Sequence, residues 1–548
     1  MDEMIFEPAN AYDAEYKAKF AENAEKMFDD LVKTSGIDVE QNRTTAAEYR
    51  KKSLESSGHD KKLSGQKTKR VLLIILAVLL CVLIVPTVLI IVYIVKKLNP
   101  KIREMSAMSD KLNAQEEELL ARARAQMSPL LSLFDETMPP RLIEQTVPLL
   151  DMDKYYDMRR FDYLSGKYGF EDSHGSDAST LGIISGQIMG NPFVFERYKQ
   201  VRMGTHTYVG NLTISWVEVD VDSKGRRITR RRTQVLTATL EKPKPIYSTH
   251  IRLIYGNDAA PNLSFSRTAT DAEKMNEKEL ERYVNRGAKK LRKKAVRSLS
   301  TGFTEMGNAD FDVLFGAADR DNEVEFRLLF TPLAQKNLVD IITGGTPYGD
   351  DFAFTKRGCL NYIMSEHSQT RDYEFAPQRY FSYDIDECRR LFLQYTADDF
   401  QCIYFDLAPL ISIPLYQQHK PKEYIYKESY LQNYTTRESE VLANTFPSRW
   451  FANDLSATDS ILKSEILAKH DGTDTVEITA YSFTAESRVD FVPVWGGDGR
   501  LHSVPVHWME YIPVERRTRL NVTSDDNGNK PANAQACVSK HGLFAYID

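Results

Sequence analysis

Residues 71–95, VLLIILAVLLCVLIVPTVLIIVYIV, form a run of 25 uncharged, almost wholly apolar residues, and no other stretch of this 548-residue chain limits its fold so strongly. As one α-helix the run reaches roughly 37 Å at about 1.5 Å per residue, enough to cross a hydrocarbon core of about 30 Å. Soluble helices seldom run this long without a polar face, so the expectation is a single transmembrane helix. Lys67, Lys69 and Arg70 fence one end and Lys96, Lys97, Lys101 and Arg103 the other, with Tyr93 where an interfacial aromatic belongs. Pro86 interrupts the run and removes one backbone donor. The alternative is a shallow hairpin that turns at Pro86 and returns to the same side, each arm half the length a crossing requires. The 70 residues upstream exclude a cleavable signal peptide, whose apolar core lies near the N-terminus.

At 42 % hydrophobic and 11 % aromatic, the chain beyond residue 95 is long enough for two or three domains with real cores. A net charge of −6 argues against nucleic acid as a partner, because phosphate backbones need a positive field. Cys359, Cys388, Cys402 and Cys537 are scattered, without a CxxC pair or a histidine cluster, which reads as reduced thiols and no metal site. The basic flanks of the apolar run are nearly balanced and leave its orientation open. The large domain of this single-pass cell-membrane protein is expected on the cytoplasmic side, as the thiols favour; the alternative is an extracytoplasmic placement, because a charged leading tail is hard to export.

The expected class is α+β: one transmembrane helix, then a sheet-rich soluble region with covering helices and a C-terminal all-β section. Residues 1–52 read as a charged helical region in which Tyr16, Phe20, Ala24, Met27, Phe28 and Leu31 form an amphipathic stripe. Residues 53–70, rich in Ser, Gly and Lys, read as a flexible basic linker. Residues 71–95 are the span, and 96–150 a juxtamembrane helical stalk. Residues 151–365 form an α+β domain. Within it, TISWVEVDV and ITRRRTQVLTATL flank an Asp222-Ser-Lys-Gly225 turn as a hairpin. A helix over 270–299 is expected to cover one face of that sheet, and 311–330 reads as strand. Residues 366–474 are mixed and Tyr-rich. Residues 475–548 are β-rich, with prolines in Val492-Pro-Val494, Val504-Pro-Val506 and Ile512-Pro-Val514 that belong on edges or at bulges.

No GxSxG elbow, phosphate-binding loop or dinucleotide fingerprint is present, and no cofactor is implied. Asp319-Arg-Asp-Asn-Glu323 begins like a calcium loop, but Val324 and Phe330 stand where Gly and Glu are needed, so it reads as a solvated turn. His502 and His507, five apart on extended chain, face opposite ways and cannot share a metal. Two basic patches remain as candidate contacts for anionic lipid: Arg226, Arg227 and Arg230, and Lys289, Lys290, Arg292, Lys293 and Lys294.

The stretch 309–338, ADFDVLFGAADRDNEVEFRLLFTPLAQKNL, resembles a bacterial membrane-protein family of unknown function. That family shares an F-x-x-x-F segment, an acidic turn and an extended E-x-R-Y-L-L-T-P-like run. Phe311, Phe315, Asp321, Glu323, Arg327, Leu328, Leu329, Thr331 and Pro332 stand at the matching places, and Ile184-Ser-Gly186 followed by Pro192-Phe-Val-Phe195-Glu196 is similar to its turn from a glycine into a sheet. The likeness covers about residues 150–365. It implies a pair of membrane helices before a cytoplasmic domain, where this chain has one apolar run, and it carries no activity.

The function expected is therefore a membrane-anchored, non-enzymatic binding or scaffold protein whose sheet-rich domain is held at the bilayer. Its partners would be lipid and either a membrane protein or a second copy of the chain. The alternative is a membrane-anchored hydrolase or transferase with a site invisible in sequence, for which Asp350 with Asp351, and Asp384 with Asp386, are the first carboxylates to examine.

Overall fold

The computed structural model describes residues 4–79, 84–153, 158–170, 175–221, 227–297, 303–344, 347–420, 436–470, 473–524, 534–540 and 543–547. The chain divides into two compact units, one of residues 13–146 and 375–401, the other of residues 1–12, 147–374 and 402–548.

The first unit is helical. Helix α1 (Lys17–Ser35) buries Phe20, Ala24 and Phe28, three positions of the expected stripe, and ends at Gly36 in the left-handed conformation. Phe20 stacks on Phe400 at 4.3 Å, and Phe28 meets Phe134 and Phe392, so the stripe packs against the N-terminal part of the helix Ile385–Ile411. Helix α2 (Val39–Leu79) runs without a break through residues 53–70, where a flexible linker was expected. The reason is tertiary. α2 lies along α4 (Asn99–Leu131), and the small polar residues of the supposed linker make the contacts: Ser56 Oγ donates to Asn113 Oδ1 at 2.6 Å, and Ser109 Oγ donates to Asp60.

The apolar run does not form one crossing helix. Its first part completes α2, its second forms α3 (Ile84–Tyr93) and the π-helical turn Ile94–Leu98, and no helix among the described residues is long and apolar enough to cross a membrane. A straight helix would separate Lys69 and Tyr93 by about 36 Å, yet the Lys69 Nζ lies 5.9 Å from the Tyr93 ring centroid. Leu63, Leu73, Ile90, Ile94, Leu98 and Ile102 share one apolar seam, so the two arms run antiparallel. Pro86 is the third described residue of α3. The single-pass transmembrane reading is thereby overturned, while residues 99–131 are helical, as expected of the stretch after the run, and pack along α2.

The second unit is α+β. In chain order its elements are β1 (Leu150–Met152), α6 (Met158–Tyr168), β2 (Ala178–Ile188), β3 (Asn191–Val221), β4 (Arg227–Gly256), β5 (Ser264–Arg267), α7 (Glu277–Arg297), α8 (Ala309–Leu314), α9 (Glu323–Leu329) and α10 (Pro332–Thr343); α5 is Met138–Thr146 in the helical unit. There follow β6 (Phe352–Arg357), β7 (Leu360–Ser365), α11 (Ile385–Ile411, shared between the units), α12 (Thr436–Thr445), β8 (Ile461–His470), β9 (Thr473–Trp495), β10 (Leu501–Ser524), β11 (Ala536–Lys540) and β12 (Leu543–Ile547). Two antiparallel sheets result, in the orders β1-β2-β3-β4-β7-β6-β5 and β11-β12-β10-β9-β8.

Both long hairpins extend past their sheets. β3 and β4 pair without interruption from Phe193↔Tyr255 to Val221↔Arg227, although β2 leaves β3 at Gln200; the expected turn at 222–225 lies outside the described residues. β9 and β10 pair from Thr473↔Thr523 to Trp495↔Leu501. The two-stranded parts pack face to face through Ile214, Leu236, Ala238, Val504 and Val506. Gly210 makes the approach: a Cβ there would stand 2.1 Å from the Pro505 carbonyl oxygen. Pro493, Pro505 and Pro513 sit opposite Ser503, Phe491 and Phe483, pairs an even number of steps apart, so all three ring nitrogens turn away from the partner strand, as edge prolines must.

Residues 311–330 are not strand. They form α8 and α9, each begun by an asparagine whose side chain accepts from a backbone N–H, Asn308 from Phe311 and Asn322 from Glu325. Phe311/Phe315 and Phe326/Phe330 are i,i+4 pairs on helices, and they close an aromatic core with Phe265 and Phe354. The acidic turn is solvent-facing as expected, with Asp319 and Asp321 exposed, and it is also anchored: Asp319 accepts from Ser266 N at 2.9 Å, Asp321 from Ser264 N at 2.7 Å, and Arg320 is buried against Asp312. α7 is shorter than expected, and none of its residues is buried; it meets α8 instead of covering the sheet.

Candidate functional site

The tip of the α2/α3 hairpin departs furthest from an ordinary protein surface. Val71, Leu72, Ile74, Ile75, Leu76, Val78 and Leu79 on one arm, and Val85, Val88, Leu89, Ile91, Val92, Tyr93 and Val95 on the other, are all exposed, Leu79 and Val85 to more than 70 %. Among the described residues of the run, the buried side chains are Ala77 and Ile94, in the seam between the arms. The cations that fence the run in sequence, Lys67, Lys69, Arg70, Lys96, Lys97, Lys101 and Arg103, come together at the base of the tip because the arms are antiparallel. Among the described residues none of them meets a carboxylate. An apolar end with a cationic collar is the pattern that enters a lipid leaflet while its charges stay among headgroups.

The other predicted contacts fall in two places. Arg226 lies outside the described residues. Arg227 and Arg230 are exposed on β4, Arg230 opposite Glu218 in register, and the neighbouring Arg232 takes Glu218 at 2.9 Å. Lys289, Lys290, Arg292, Lys293 and Lys294 are exposed on α7, but Lys290 and Lys294 turn toward a groove while Arg292 faces Glu305 at 3.6 Å. They do not form one basic face.

The four carboxylates named for catalysis are held by structural partners. Asp350 pairs with the buried Arg267 and accepts from Thr270 N at 2.7 Å. Asp384 is paired with Arg50, and Asp386 takes Arg43 at 2.9 Å. Asp351 accepts at 2.5 Å from His367 Nδ1, the centre of a buried network that the sequence did not reveal.

His367 follows β7, and its ring stacks 3.8 Å from Tyr348 at an interplanar angle of 2°. Its Nε2 lies 3.2 Å from the Cys402 carbonyl oxygen and 3.5 Å from Asp406 Oδ1. Asp406, one turn after Cys402 on α11, accepts from Ser368 Oγ and from Tyr373 Oη, each at 2.6 Å. Burial opposes a charge on His367, but the hydrogen bond to Asp351 and the field of Asp406 outweigh it and push its pKa up to about 10. Burial pushes Asp406 up, against the pull of His367. The His367 ring, the Cys402 thiol and the Asp406 carboxylate lie within 4.8 Å of one another, donor types that suit zinc. Both ring nitrogens and both Asp406 oxygens already face protein partners, so the group stands satisfied as a buried ion network rather than as an open ligand set. Spacing gave no signal for it, since its members come from the loop before β6, the turn after β7, and α11.

Cys359, Cys388, Cys402 and Cys537 are free thiols, and burial pushes Cys388 up to about 12. His502 is held by Asp498 at 3.0 Å, and the register places His507 on the opposite face of β10. No family model, no curated protein and no solved structure matches this chain.

Proposed function

We propose that this chain is a non-enzymatic binding or scaffold protein tethered to a bilayer surface, with the tip of the α2/α3 hairpin immersed in one leaflet. The observation that carries this reading is the set of fourteen exposed apolar side chains at the tip, collared by Lys and Arg. Residues 71–79 reach about 13 Å and 84–95 about 18 Å along their helices, close to half of a hydrocarbon core of about 30 Å. Each half-exposed side chain returns roughly 1 kcal/mol on leaving water, so the tip gains on the order of 10 kcal/mol. Each collar cation at an anionic surface adds about 1 kcal/mol. A hydrolase or transferase has less support, because Asp350, Asp351, Asp384 and Asp386 are all engaged by cationic side chains.

Flotation of the full chain with vesicles tests the proposal. The wild type is expected to float with phosphatidylcholine vesicles, and more completely when phosphatidylserine is included. The Leu72→Glu, Leu89→Glu double variant should remain at the bottom with both. A wild type that ignores both vesicles, or a variant that floats as well as the wild type, overturns the reading.

A further inference from the structure

A groove of about 690 Å³ runs between α7, the β5 edge and α8. Helix spacing builds its charge. Arg286, Lys290 and Lys294 recur every fourth residue and line it together, with Thr268 among the other lining residues. Gly287 sets its depth, because a Cβ there would lie 2.4 Å from Val313 Cγ1; only glycine lets α7 come this close to α8. Two carboxylates also line the groove, but both are committed: Asp312 to Arg320 at 3.0 Å and to Met306 N, Asp319 to Ser266 N and Oγ. Lys294 Nζ donates to the Ala318 carbonyl and lies 5.0 Å from the Phe303 ring centroid, and Arg286 Nε donates to the Arg282 carbonyl at 3.2 Å, but among the described residues none of Arg286, Lys290 and Lys294 meets a carboxylate. Three like charges one turn apart repel one another, and a multivalent anion between them relieves that repulsion.

We propose that this groove binds a phosphate-bearing anion through Arg286, Lys290 and Lys294. Its volume fits a compound of small-metabolite size, and a lipid phosphate headgroup presents the same chemistry. The site belongs to the sheet-rich unit and does not depend on the hairpin tip.

Inorganic pyrophosphate titrated calorimetrically into the full chain is the first probe. Saturable binding is expected, weakened at least tenfold in Arg286→Gln, Lys290→Gln and little changed in Lys289→Gln, Lys293→Gln, which removes the same charge from outside the groove. Gly287→Ala, which changes no charge, should weaken binding by lifting α7. Flotation of the Leu72→Glu, Leu89→Glu chain with phosphatidic-acid vesicles then separates the sources. Flotation reversed by pyrophosphate supports a headgroup in the groove, and pyrophosphate binding without flotation supports a soluble phosphate compound. No binding at millimolar pyrophosphate, equal weakening by both pairs of substitutions, or unchanged affinity in Gly287→Ala overturns the site.

Discussion

His367→Asn removes the positive member of the buried network and leaves Asp351 and Asp406 facing each other's field. The folded-state pKa of His367 is raised from 6.5 to about 10. A raised histidine contributes its full stabilisation below the unfolded value and loses it as pH climbs through the folded one, so the window of loss runs from about 6.5 to about 10. At 1.36 kcal/mol per unit the ceiling is about 5 kcal/mol, and breaking a buried ion pair ordinarily costs about 3 to 5 kcal/mol. We expect His367→Asn to lose about 3 kcal/mol near pH 7 and much less near pH 10.5, where the wild type has itself lost the charge. Trp216, Trp450, Trp495 and Trp508 all lie in the same unit as His367, so guanidinium unfolding followed by tryptophan fluorescence reports that unit. Other groups that titrate in this range cancel in the difference between wild type and variant. An equal deficit at both pH values would refute the assignment of a charged His367.

Lys356, fully buried with its Nζ donating to the carbonyls of Ala259 and Gly358, has its pKa lowered to about 8 by burial. Its folded pKa is depressed, so stability is lost as pH falls through about 8, and Lys356→Met is expected to stabilise the fold by about 1 to 2 kcal/mol at pH 7 but not above pH 10.5, read from denaturant midpoints. Gly210→Val places a side chain against the Pro505 carbonyl oxygen and should cost about 2 to 4 kcal/mol by separating the two β hairpins, seen as a red-shifted Trp216 emission; unaltered emission and stability would count against the packed arms.

Much of the local structure was legible. The amphipathic stripe at Phe20, Ala24 and Phe28, the β-branched alternation of β3 and β4, and the edge prolines of β9 and β10 each follow a period that the residues themselves carry. Residues 311–330 held a readable signal as well. Asn308 three residues before Phe311, Asn322 three before Glu325, and phenylalanines four apart all spell helix, but composition pulled toward strand.

By itself the sequence determined where the greasy run lies, which charges flank it, and which faces of the strands and helices must be covered, because those depend on neighbours a few positions away. Whether the run continues or doubles back was decided only by the tertiary structure. The reversal rests on contacts such as Lys69 with Tyr93 and Ser56 with Asn113, made between residues far apart in the chain. The His367 network and the cationic groove have the same origin: each gathers residues from separate elements, and no local period records a meeting that only packing brings about.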